Sequence, residues 1–170
     1  KSSGAVAAAT AVASSAAEAV AQDDAPKAIT KALIKLNVNG KDREVTVEGR
    51  TTLLEALRYQ LDLTGAKPVS LDGSSGASTV LVDGRPMMAS TTFALAVAGK
   101  EITTCESLVE DEVPKAFVQH DAQQCGFCTP GFVVAVRAFL NKHPDATEEQ
   151  ILAGLNGNIC RCGTYANVLQ

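Results

Sequence analysis

Gln124-Cys125-Gly126-Phe127-Cys128-Thr129-Pro130-Gly131, answered by Gly157-Asn158-Ile159-Cys160-Arg161-Cys162-Gly163, is the part of this 170-residue chain that decides how the rest is read. Four of the five cysteines stand here, as a C-x2-C pair and a C-x-C pair. Thiolates grouped in fours hold a soft metal centre, either zinc or an iron–sulfur cluster. The tight C-x-C suits zinc less well than a C-x2-4-C loop. Two structural disulfides in an exported protein, or a thioredoxin-like Cys-Gly-Phe-Cys, stay open on spacing alone. The local chemistry favours a [2Fe–2S] centre. Thr129 is a good N-cap and Pro130 a good first helical residue, so a helix is expected directly after Cys128. Its N–H groups and positive dipole end would face an anionic centre. Gly126 and Gly163 leave room for backbone N–H groups to approach sulfur.

Working outward, the segment after Glu110 reads as helical. Short helices are expected over Pro114 to His120 and Pro130 to Asn141. Thr147-Glu148-Glu149-Gln150 is a capping box for a third, ending near Gly154 to Gly157, and a fourth should begin close to Cys162. Four such helices make a small bundle with the cysteine pairs at its end. His120 and His143 read as surface residues of helix ends, and Cys105 as a buried small hydrophobe.

Upstream the period changes to two. Ile34, Leu36 and Val38 alternate, Asn39-Gly40 turns the chain, and Val45 and Val47 continue on a second strand. Thr52-Leu53-Leu54-Glu55 is a capping box opening a helix through about Leu61. Further strands are expected at Thr79 to Val82, turned at Asp83-Gly84, and near Ile102 to Thr104. The fold class is α+β: a β-grasp, ferredoxin-like domain over 31–106, then a four-helix [2Fe–2S]-binding domain over 107–170. Residues 1–30 form an Ala-rich, signal-like segment and linker. Gly4 to Ala13 is a short apolar core and Ala19-Val20-Ala21 resembles a cleavage site, so Lys1 to Gln22 reads as an export signal, with the further expectation that it stays attached. An Ala-rich flexible arm is the bland alternative. Glu18 and the many serines and alanines make the stretch a weak membrane span.

The two cysteine motifs together carry a resemblance. Gln-Cys-Gly-Phe-Cys-Thr-Pro-Gly followed by Gly-Asn-Ile-Cys-Arg-Cys-Gly-Thr-Tyr resembles the small iron–sulfur subunit of the molybdenum hydroxylases, the xanthine oxidase family. Within it the chain is most similar to the exported aldehyde or isoquinoline oxidoreductase type, from about Leu33 to the C-terminus. The resemblance implies that Cys125, Cys128, Cys160 and Cys162 bind one [2Fe–2S] cluster. It also implies that Gln124 and Cys162 lie against the molybdopterin of a separate large subunit.

One part departs from the family. A plant-type ferredoxin loop carries its ligands as C-x4-C-x2-C with a fourth cysteine later. Here every such position is serine: Ser70, Ser75, Ser78 and Ser90. A hydroxyl is a far poorer ligand for iron than a thiolate, so no second cluster is expected. Gly73, Gly76, Ala77, Thr79 and Val80 still match the family's loop. Pro68, Val69 and Met88 look drifted, Val69 standing where the family has a glycine. That favours natural loss over deliberate Cys-to-Ser replacement.

The expected function is electron transfer from molybdopterin in a large catalytic subunit to an onward acceptor, such as a haem subunit, in an exported, periplasmic complex. The N-terminal segment would supply any membrane association. The alternative is a structural subunit whose four-cysteine site braces the catalytic subunit. A net charge of −4 leaves no basic footprint for nucleic acid.

Overall fold

The computed structural model describes residues 30–170. The export-signal reading of Lys1 to Gln22, and nearly all of the linker after it, lie outside the described residues. Lys31–Val38 (β1) and Lys41–Glu48 (β2) form the expected antiparallel hairpin, with Ile34 opposite Val45 and Val38 opposite Lys41. Asn39 and Gly40 both take positive φ (53° and 73°), the tight turn that matches strand twist. A second hairpin, Thr79–Val82 (β3) and Arg85–Met88 (β4), turns on Asp83 and Gly84 in the same conformation. Glu101–Thr103 (β5) lies parallel to β1 and antiparallel to β3, giving the order β2-β1-β5-β3-β4.

The capping box at Thr52 forms as expected: Thr52 accepts from the Glu55 N–H at 3.2 Å, and Glu55 accepts from the Thr52 N–H at 2.7 Å. The helix it opens is not regular. One α turn, Leu53–Glu55 (α1), widens into a π-helical stretch over Ala56–Gln60 and stops at Leu61. Leu53, Leu54, Ala56 and Leu57 fill the sheet's inner face together with Leu36, Val38, Val45, Val47, Val80, Val82 and Ile102. Each such leucine, isoleucine or valine contributes about 1.5–3 kcal/mol when fully buried.

Four helices follow: Glu112–Gln119 (α2), Thr129–Lys142 (α3), Glu148–Gly154 (α4) and Tyr165–Val168 (α5). The helix α2 starts two residues earlier than the sequence reading. Asp111 caps it by accepting from the Val113 N–H at 2.9 Å, which leaves Pro114 in the first turn. His120 and His143 do cap helix ends, as expected.

The strand β3 and the helix α3 join the two halves. All four residues of β3 are buried, because Val80 and Val82 face the sheet's own core while Leu81 packs with Val134 and Ala138 of α3. On its other side α3 sends Phe132 and Val133 into a second core with Val113, Phe117, Ala122 and Cys160. Cys105 is half-buried rather than fully buried, at the margin of the Leu81–Val134 contact.

Candidate metal centre

The helix after Cys128 begins where the sequence predicts, with one correction. Cys128 itself is the N-cap and no side chain caps the helix; Thr129 is already helical and Pro130 follows within the first turn. The chain enters through Gly126, whose φ of 74° is rarely adopted by other residues, with Thr129 N–H donating to the Gly126 carbonyl at 3.3 Å. Cys128 therefore sits at the unpaired N–H end of a long helix. The second motif runs through an irregular segment, held by the Cys160 N–H donating to the Tyr165 hydroxyl at 2.7 Å. Tyr165 is itself set edge-on against Phe132 at a centroid distance of 6.3 Å.

The two motifs bring the four thiols into each other's electrostatic reach. All four are free thiols, and they act on one another: Cys162 and Cys160 both influence Cys125, and Cys160 and Cys125 both influence Cys128. Cys125 and Cys128 of the first motif thus face Cys160 and Cys162 of the second. Cys125 and Cys162 are exposed, Cys128 is half-buried and Cys160 is buried, so the set runs from the surface inward. Gln124 is exposed beside Cys125.

Electrostatics separate the thiols. The Phe127 N–H is the main influence holding the Cys125 thiol below its ordinary range, followed by Cys162. Burial pushes Cys128 up to about 12, reinforced by Cys160. Burial would raise Cys160 too. It is outweighed by the Thr164 hydroxyl at 3.2 Å, by Cys128 and by the N–H groups of Thr164 and Gly163, leaving the thiol at about 7. These are the N–H···S contacts expected around Gly126 and Gly163, although the donors are Phe127, Gly163 and Thr164.

Four sulfurs with no harder ligand among them suit zinc or iron–sulfur chemistry. Among the described residues no three His, Cys, Asp or Glu side chains gather as the shell of a single metal ion. Four cysteine sulfurs on two motifs, with backbone N–H groups acting on Cys125 and Cys160, fit the all-cysteine ligation of a two-iron cluster. Sequence reasoning quoted Asn158, Thr164 and Tyr165 within the motif but gave them no role. The only signal for Thr164 was its place four residues beyond Cys160.

The serine positions present another chemistry. Ser70 Oγ lies 2.7 Å from Ser75 Oγ, and Ser78 Oγ lies 2.9 Å from Ser90 Oγ. The Ser75 and Ser90 N–H groups donate to Ser70 Oγ and Ser78 Oγ at 3.0 and 3.3 Å. Ser78 and Ser90 are buried, whereas Val69 is half-exposed and does not fill the loop.

Known proteins resemble both halves. A [2Fe-2S] binding domain model matches residues 104–170. The aldehyde oxidoreductase iron-sulfur-binding subunit PaoA of Escherichia coli O157:H7 is 41% identical over 155 residues, covering 80% of this chain and 68% of that protein. The small FeS subunit of nicotinate dehydrogenase from Eubacterium barkeri is 36% identical over 144 residues, covering 82% and 92%. The chain belongs to the small iron–sulfur subunits of the molybdenum hydroxylases. The crystal structure of quinoline 2-oxidoreductase from Pseudomonas putida 86 superimposes with a TM-score of 0.78 at 36% identity, over 82% of this chain and 88% of that one. This small subunit is thus a [2Fe–2S] component of an oxidoreductase, and its α+β fold is that of its relatives.

Proposed function

We propose that this chain is the electron-transfer subunit of an exported molybdenum hydroxylase, with one [2Fe–2S] centre on Cys125, Cys128, Cys160 and Cys162 and none in the β-grasp domain. The observation that carries the reading is the contrast between the four thiols and the four serines. Free thiols from two distant motifs come together, whereas the serines at the plant-type positions satisfy one another.

A [2Fe–2S] centre on the four thiols supplies one-electron redox chemistry, and bond-making belongs to cofactors outside this chain. The chain's own residues hold and tune the site. Phe127, Gly163 and Thr164 donate N–H groups to Cys125 and Cys160, contacts that raise the potential of a thiolate-ligated centre. Burial of Cys160 and half-burial of Cys128 keep water from the inner side. Gln124 and Cys162, both exposed, form the face toward the molybdopterin of the large subunit. The onward acceptor, a haem subunit or another redox chain, then docks on the helical domain over 107–170, since the domain over 31–106 offers no thiolates for a relay.

The apolar Gly4 to Ala13 core and the Ala-Val-Ala site at residues 19–21 support export to the periplasm. No helix among the described residues is long and apolar enough to cross a membrane.

The test is iron and sulfide analysis with low-temperature EPR of the reduced complex. About two irons and two sulfides per chain and one [2Fe–2S] signal from this subunit are expected. Two signals, zinc in place of iron, or cysteines paired as disulfides would each defeat the reading. Identifying the co-purifying subunit by mass tests the partner. Deleting Lys1 to Gln22 from the precursor should leave the complex in the cytoplasm.

A further inference from the structure

The loop that carries serines is built into the cysteine site. The Ser75 carbonyl accepts the Ile159 N–H at 3.0 Å, and the Gly76 carbonyl accepts Asn158 Nδ2 at 3.1 Å. Ile159 and Asn158 are the two residues just before Cys160. Asn158 is 8% exposed, and its bond to Gly76 spans 82 positions of sequence. The approach is close on both sides. A Cβ at Gly76 would come within 2.5 Å of the Gly157 carbonyl and 2.6 Å of Asn158 Nδ2, and a Cβ at Gly131 within 2.5 Å of the Gly76 carbonyl.

We infer that Asn158 is a positioning residue for the metal centre: it straps the Gly157–Cys162 segment to the Ser75–Gly76 backbone, and so makes the clusterless loop a structural part of the cysteine site. The inference rests on the proposed [2Fe–2S] assignment and extends it to residues that bind no metal. The physical reason lies in the segment itself. It has no helix or strand to fix it between Gly154 and Tyr165, so its shape depends on a few bonds. Tyr165 holds the Cys160 N–H from one side, and the serine loop holds Asn158 and Ile159 from the other. Releasing the second side lets the Cys160 sulfur move relative to the Gly163 and Thr164 donors, and such hydrogen bonds set the potential of an iron–sulfur centre. A β-grasp domain without ligands of its own is then retained because it holds another domain's centre in shape.

The experiment uses the full chain in its complex and reads the midpoint potential and EPR g-values. The variants are Asn158→Ala, Asn158→Asp, Gly76→Ala and Gly84→Ala. Asn158→Asp keeps the shape but cannot donate to Gly76. Gly76→Ala attacks the same contact from the other domain. Gly84→Ala is the control, with the same positive φ as Gly76 (73° against 68°) and no neighbour within 4 Å. The first three should change the reduction equilibrium severalfold, up to about tenfold or 59 mV for a one-electron couple, and should alter the g-values. Gly84→Ala should leave both at wild-type values. Should Asn158→Ala not fold, the other two contact variants decide. Wild-type potential and spectrum in every folded contact variant, or an equal change in Gly84→Ala, would overturn the inference. A wild-type complex without a [2Fe–2S] signal would instead defeat the proposed function, which keeps the two failures apart.

Discussion

The serine loop and the cysteine site are two answers to one geometric problem. Each brings four small side chains together, and each has positive-φ glycines in the backbone around them. The difference is what those side chains need. A hydroxyl both donates and accepts, so Ser78 and Ser90 satisfy each other at 2.9 Å and stay buried. A thiol is a weak donor and a weak acceptor. The two inner cysteines are left with one thiol pushed up to about 12 by burial and the other at about 7. Oxygen closes its network within the protein; sulfur leaves one that a metal completes.

The largest test of that contrast removes one cysteine on one side and all four serines on the other. Cys160→Ala should take iron from about two per chain to near zero and abolish the EPR signal. Replacing Ser70, Ser75, Ser78 and Ser90 together by alanine should leave the iron content unchanged. Iron lost from the serine variant, with its fold intact by circular dichroism, would blur the two sites into one.

Next comes the joint between them. Gly131 meets the Gly76 carbonyl and the Ala77 Cα, at 2.5 and 3.0 Å from where a Cβ would stand. Both obstacles are backbone, so neither can swing aside. Gly131→Ala should destabilise the chain by about 1–3 kcal/mol through overpacking, read from the midpoint of denaturant unfolding. An unchanged midpoint would mean that the two halves are free to separate by a few tenths of an ångström.

The serine pairs should then differ from each other. Ser78→Ala strands the buried Ser90 hydroxyl, at a cost of about 1–2 kcal/mol. Ser70→Ala leaves a half-buried Ser75 that water can reach, and should cost less. The double variant Ser78→Ala with Ser90→Ala should cost less than the sum of its parts, since no hydroxyl remains unpaired. Strict additivity would show that the pair does not act as a unit.

These contrasts mark what the chain's own letters disclose. The hairpins at Asn39-Gly40 and Asp83-Gly84 were legible because turn chemistry is local, and so were the capping boxes at Thr52 and Thr147. The widening of α1 at Ala56 was not, because Leu53, Leu54, Ala56 and Leu57 read as an ordinary apolar face and only packing decides the pitch. At the site, spacing and resemblance named the four cysteines and the four serines. They could not name Asn158 as a strap, because its partner is a carbonyl 82 residues away and a carbonyl has no letter. Nor could they show that Val69, standing where the family has a glycine, stays half-exposed.

The fifth cysteine gives the finest test, since it is sulfur without a thiol partner. Cys105 lies beside Glu106, whose carboxylate accepts from the Cys105 thiol at 3.4 Å and from the Gly65 N–H at 2.8 Å. Burial is the main reason its thiol is pushed up to about 12, and the neighbouring Glu106 charge adds to it. At pH 8 roughly one molecule in ten thousand then carries a thiolate there, and only the thiolate is nucleophilic. The four cluster cysteines should resist iodoacetamide because metal covers them, and Cys105 because its surroundings keep the proton on. Chelating the metal away should expose the first group and leave Cys105 slow, as read by mass spectrometry of labelled peptides. Glu106→Gln should quicken Cys105 only in part, since burial remains. The sign of the pH dependence follows from the same shift. A folded pKa raised above the unfolded value leaves the stabilisation whole below about pH 8.5. It is then lost as the pH rises toward 12 and the unfolded chain sheds the proton first. Labelling of Cys105 at pH 8 at the rate of a free thiol would show that its environment is open, and that metal alone distinguishes the sulfurs of this chain.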